Sequence, residues 1–175
     1  MRVRPRSEDG FLLIELLAAT MILSIALLAL MGAYEAGFKS FRSAAKDSSA
    51  GLIADNQLEL YASLKYSSIG LDATTLASVK TSDANYSTDE AALPGSGTDV
   101  TISGCGSFAQ CMPVQTVQGG DGNTYKLETF IRLLSNPSAT NWSEKIVTVI
   151  VRNTSASGSP KVVTIQTAFD QGPAS

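Results

Sequence analysis

From Phe11 to Tyr34 every position is apolar or small except Glu15, Thr20 and Ser24. Such a run predicts a helix, and at about 1.5 Å per residue it reaches roughly 36 Å. A bilayer core takes about 20 residues of this kind, so the run is long enough to span one. Beyond it the pattern becomes periodic. Tyr34, Phe38, Phe41 and Ala45 step by four, three and four and mark one helical face. The stripe resumes at Leu52, Ile53, Leu60 and Leu64, with Lys39, Arg42, Lys46, Asp47 and Asp55 between them. No proline occurs between Pro5 and Pro94, and Gly70 is a natural stop. Residues 35–70 are therefore expected to continue the helix as an amphipathic segment. Gly32 and Gly37 weaken it locally, by about 1 kcal/mol each relative to alanine.

The pattern then changes twice. Residues 71–112 are dense in Ser, Thr, Asp, Gly and Ala and read as an irregular connection, with one short helix around Asp72 to Val79. After Pro113 the runs become β-prone. Strands are expected over Val114–Gln118, Thr124–Leu134, Lys145–Asn153 and Lys161–Phe169, joined by turns at 119–123 and 155–160. In the last strand Val163, Ile165, Thr167 and Phe169 share one side. The expected fold class is α+β: one long N-terminal helix packed on a three- or four-stranded antiparallel sheet. Residues 71–175 would form the globular part.

Charge narrows the function classes. The net charge is -3 with no long basic tract, which gives nucleic-acid binding no support. There is no histidine, so the commonest general base and metal ligand is missing. Two cysteines alone cannot make a four-ligand zinc site. No phosphate-binding glycine loop, nucleophile elbow or carboxylate dyad with a base is present, so an anchored enzyme is the weakest class and no cofactor or metal is expected. Arg2, Arg4 and Arg6 precede the apolar run, which places that end in the cytoplasm and the C-terminal part outside. A cleaved secretory signal is the alternative, with Ser24-Ile25-Ala26 as its small-residue site, although the apolar run continues to Tyr34.

Glu15 is the position that needs an explanation. An acid at a bilayer centre costs about 2.5–3.5 kcal/mol on insertion scales, less near an end. Either Glu15 reaches the headgroups, or it pairs with a positive group supplied by an assembly. Gly10 followed by Phe11-Leu12-Leu13-Ile14-Glu15-Leu16-Leu17 resembles the processing signature of type IV prepilins and type II secretion pseudopilins. The resemblance covers about the first 60 residues. It implies cleavage of the leader 1–10 by prepilin peptidase between Gly10 and Phe11, and methylation of the new Phe11 amine. It implies a pilin-like fold in which residues 11–34 are the membrane and assembly helix, with Glu15 neutralising the amine of a neighbouring subunit. The leader carries three arginines, Glu8 and Asp9, a net of +1, so the processed chain would carry -4. The partners implied are other pilin or pseudopilin subunits, an inner-membrane assembly platform and, before assembly, membrane lipid. The localisation implied is the inner membrane, then a filament. Ala54-Asp55-Asn56-Gln57-Leu58-Glu59-Leu60 with Ser63-Leu64-Lys65-Tyr66 also resembles the PilV- or GspI-like subgroup, or is an amphipathic helix with no subgroup meaning. The rival function is a bitopic, membrane-anchored binding module that never polymerises.

Smaller motifs have ordinary readings. Five residues separate Cys105 from Cys111, enough to close a small loop; an oxidising exported side favours a disulfide, with a free thiol pair as the alternative. Asp121, Asn123 and Glu128 hint at calcium but lack EF-hand spacing and read as a hairpin turn. Asn85-Tyr86-Ser87, Asn141-Trp142-Ser143 and Asn153-Thr154-Ser155 match glycosylation sequons that arise by chance in a Ser/Thr-rich chain. Trp142 reads as a core or rim aromatic, with a partner contact as the alternative.

Overall fold

A computed structural model describes residues 9–93, 97–105, 108–135 and 143–171, with backbone alone for 9–12 and Ser135. The first helix, α1, runs Asp9–Ala62, followed by a 3-10 turn at Tyr66–Ser68. Then come β1 (Leu71–Asp72), α2 (Ala73–Ser82), α3 (Ala84–Ala92), β2 (Thr98–Asp99) and β3 (Thr101–Ile102). A 3-10 turn at Ala109–Cys111 leads into β4 (Val114–Gln118), β5 (Thr124–Ser135), β6 (Ser143–Asn153) and β7 (Lys161–Asp170). Residues up to Ala44 and residues from Ala45 form two units.

The α+β class expected from the hydrophobic pattern is present, and β4 to β7 fall within a few residues of their expected bounds. The strand count is larger than expected. The antiparallel sheet has five strands, in the order β2-β5-β6-β7, with β4 also pairing β5. The long strand β5 accommodates both: β4 pairs with its first half, from Thr124 to Glu128, and β2 with Arg132 and Leu133 near its end. β2 comes from the stretch read as irregular. A two-residue strand carries too few positions for a period-2 pattern to show. β1 and β3 form a separate parallel pair.

Directly opposed residues of an antiparallel pair share a face. One face of the sheet therefore carries Leu127, Thr129 and Ile131 of β5 with Val151, Val149 and Val147 of β6, all buried. Ala50, Ile53, Ala54, Gln57 and Tyr61 of α1 are buried with them in the same core. This stripe corrects the expected one, in which Leu52 and Ile53 opened the apolar face. Leu52 is 63% exposed. The α1 residues buried here include two alanines and a glutamine, which a hydropathy stripe does not single out. Val163, Ile165, Thr167 and Phe169 of β7 lie on this face, half-buried, as the alternation indicated.

The helix also ends earlier than Gly70. Ser63 N–H donates to Glu59 O and Leu60 O, and Leu64 N–H to Tyr61 O, tightening the last turn. Lys65 is extended. Beyond it, the Lys145 ammonium of β6 donates to Tyr66 O at 2.7 Å and Ile69 O at 2.8 Å. It also sits 4.4 Å from the Tyr66 ring centroid. A buried lysine thus takes the carbonyls that a continuing helix would have used internally. Burial holds its pKa below the ordinary lysine value.

Between 72 and 93 two helices replace the one expected. Asp72 caps α2 by accepting from Thr75 N–H at 2.9 Å. Asp83 ends α2 through its own N–H to Val79 O and begins α3 by accepting from Asn85 and Tyr86 N–H. An aspartate at an N-cap satisfies donors that have no partner within the helix.

Candidate functional site

Gly10, Phe11 and Glu15, the residues that resemble a processing signature, lie at the start of α1. Gly10 and Phe11 are helical in backbone; the Phe11 side chain lies outside the described residues, as do residues 1–8 of the expected leader 1–10. Glu15 is exposed on the helix, and no charged residue lies between it and Glu35. Among the described residues α1 is the one helix long and apolar enough to cross a membrane, with an 18-residue window of mean hydropathy 2.5 and none of it buried. Leu28 is 70% and Phe41 77% exposed. Leu30, Ala33, Tyr34, Gly37, Phe38 and Phe41 line a shallow apolar groove of about 320 Å³, where the Tyr34 and Phe38 ring centroids are 6.1 Å apart. From Leu13 to Tyr34 the helix has an exposed, apolar surface and one acid, Glu15.

The second unit holds a charged cluster that the hydrophobic pattern did not disclose. On the other face of the sheet Lys126, Glu128 and Phe130 of β5 meet α3. Tyr86 stacks on Phe130 with centroids 4.3 Å apart, and its hydroxyl donates to Thr129 O at 2.9 Å. Around this pair runs a chain of alternating charge. Asp83 pairs with Lys126 at 2.6 Å, and Lys126 with Glu128 at 2.6 Å. Glu128 accepts from Arg152 Nε at 3.1 Å, Arg152 pairs with Asp89, and Asp89 pairs with Lys161 at 2.6 Å. Three acids and three bases alternate across α3, β5, β6 and β7. Glu128 is fully buried and Asp89 is 2% exposed. Nearby, Lys80 of α2 pairs with Glu90 of α3 and Asp99 of β2.

Burial and pairing pull these carboxyls in different directions. Burial pushes Asp83 up, but the Lys126 ammonium and two backbone donors outweigh it and hold it below the ordinary aspartate range. Asp89 is likewise pushed up by burial and brought below its ordinary value by Lys161 and Arg152. For Glu128 burial wins over Lys126 and Arg152, and its pKa is raised. Arg132 adds a neutral tie, donating through Nη2 to Glu90 O at 2.6 Å. The arrangement saturates its own charges; it fixes α3 to the sheet and presents no activated nucleophile.

The remaining sequence motifs separate. Cys105 and Cys111 are joined as a disulfide with Cα atoms 6.0 Å apart. Asp121 sits in the β4–β5 turn, accepting from Asn123 and from the Tyr125 hydroxyl at 2.7 Å, while Glu128 belongs to the buried chain. The three do not converge, and no metal-binding group of His, Cys, Asp or Glu occurs among the described residues. Asn85 is on the surface of α3, whereas Asn153 is 3% exposed and accepts from Ser155 N–H. Asn141 and Trp142 lie outside the described residues. Lys126, Glu128 and Arg152 were visible in the sequence as charges alternating with apolar residues, a pattern that normally marks a solvated face. Only the position of Asp83 and Asp89 on α3 shows that this face is covered. Comparison of the chain with protein-family models, with curated proteins and with solved structures returns no match.

Proposed function

We propose that this chain is a structural subunit, a minor pilin or pseudopilin, of a type IV pilus or type II secretion filament. The observation that carries the reading is Gly10-Phe11 with Glu15 four residues later, opening an uninterrupted apolar helix. Cleavage after Gly10 creates an α-amino cation, and methylation leaves it charged. A lone acid on an apolar surface then has a partner that exists only after processing. In an apolar surrounding such a pair fixes register more surely than it adds stability. The apolar, unburied surface of α1 up to Tyr34 supports packing against other helices of the same kind, with lipid as its surroundings before assembly. The disulfide supports an oxidising location for the globular part.

The reading is tested by mass spectrometry of the mature N-terminus in the native host, together with Glu15→Ala. The expected N-terminus is methylated Phe11, and Glu15→Ala should insert normally but fail to enter filaments. An N-terminus at Met1 or Leu27 overturns the reading. The rival is a bitopic anchor carrying a binding module, favoured by the self-contained core of the second unit. It predicts that Glu15→Ala leaves localisation and function intact.

A further inference from the structure

The loop closed by Cys105 and Cys111 carries more than its own connection. Two of its carbonyls are acceptors, one for the end of α1 and one for β4. The Tyr61 hydroxyl, in the last turn of α1, donates to Gln110 O at 2.7 Å. Gln115 of β4 donates from Nε2 to Ala109 O at 2.8 Å, and the same group lies 3.5 Å from Gln57 Oε1 of α1. Gln57 Nε2 in turn donates to the Tyr61 hydroxyl oxygen at 3.4 Å. Tyr61 is fully buried, and burial lifts its phenol to about 12, so it stays a donor throughout the ordinary pH range. The backbone bonds that close this turn, from Ser63 N–H to Glu59 O and Leu60 O, lie beside exposed Ala62 and Ser63.

We propose that the Cys105–Cys111 disulfide is a redox-set staple for the end of α1. Closed, it holds Ala109 and Gln110 where Gln115 and Tyr61 need acceptors. Open, it frees those carbonyls, and the last turn of α1 frays. The two states differ by two electrons and two protons. Closing transfers them to an external disulfide, which leaves as a dithiol; opening takes them from a dithiol. The two sulfurs are not equivalent in this exchange. Cys105 is half-buried, whereas Cys111 is 0% exposed. An incoming thiolate reaches Cys105 Sγ, forms the mixed disulfide there and expels Cys111 as the leaving thiolate. Burial disfavours a thiolate, so Cys111 leaves poorly and the closed staple resists reduction while the fold is intact. The device closes readily on an oxidising side and does not reopen easily.

Hydrogen exchange read by mass spectrometry on the full chain in detergent tests this. The oxidised protein is compared with the Cys105→Ser/Cys111→Ser variant and with wild type unfolded, reduced with dithiothreitol and refolded. In the open forms, amides of residues 57–63 should exchange roughly tenfold faster, the loss of one buried hydrogen bond being of that order, while β6 is unchanged. Tyr61→Phe with the disulfide intact should speed 57–63 alike but leave 109–112 protected. Exchange across 57–63 within about twofold of the oxidised protein, or equal loosening of β6, overturns the proposal. Should the double-serine variant not fold, the reduced wild type gives the same reading.

Discussion

Asp83 and Asp89 each join two elements, and both are held below the ordinary aspartate range against the opposing pull of burial. A carboxyl with a depressed folded-state pKa contributes stability above its unfolded value, about 3.9, and that contribution is lost as pH falls through the folded value. Glu128 has the opposite sign. Its folded-state pKa is raised, so its contribution falls as pH rises from about 4.3 through the folded value. The two limbs overlap only near pH 4. Unfolding by urea at a series of pH values should therefore show wild-type stability dropping below about pH 4. Asp89→Asn should be less stable throughout but lose less between pH 5 and pH 2. A variant acid limb as steep as that of wild type would remove Asp89 from this account. None of this was legible in the sequence. Glu128 alternates with apolar neighbours just as a solvated residue does, and its burial depends on a helix more than thirty residues earlier.

Elements were legible where their own residues carried a pattern. β5, β6 and β7 present ten or more residues of alternation or β-branched enrichment, and their bounds followed from the residues alone. α1 was recognisable as a helix, yet its end was not, because Lys145 sets that end from eighty residues away. α3 was invisible: ANYSTDEAA has no apolar stripe, and Tyr86 is its single large buried apolar side chain. What holds α3 is Tyr86 against Phe130 together with the charges of Asp83 and Asp89. Arg152 is the member that touches both buried acids. Arg152→Met should cost about 3–5 kcal/mol, because Glu128 and Asp89 would then remain buried without their shared cation. The loss should appear in the urea midpoint and, by hydrogen exchange, as faster opening of α3 than of β6. A cost below about 1 kcal/mol, the range of exposed pairs, would show the chain to be solvated in solution.

At the scale of the molecule, every buried core residue among those described lies between Ala50 and Val151, within the second unit. A fragment spanning residues 45–175 should therefore fold in water without detergent and unfold in a single cooperative transition, as circular dichroism and tyrosine fluorescence would report together. Divergent transitions from the two probes would show that residues before Ala45 belong to the folding unit. The division into an apolar helix and a globular part was legible from hydropathy, because membrane-length runs are long and unambiguous. How the globular part saturates its charges was not, because that depends on contacts distant in sequence. The alternating chain from Asp83 to Lys161 has a consequence for how such a sequence can drift. Its six members sum to zero, and each interior one is flanked by two of opposite sign. Replacing an interior member upsets the balance at both neighbours, and replacing an end member at one, so changes should survive in matched pairs or as wholesale exchange for apolar residues. The network works as a parity check on inheritance: related chains should carry all six charges, a swapped pair, or none, and seldom five.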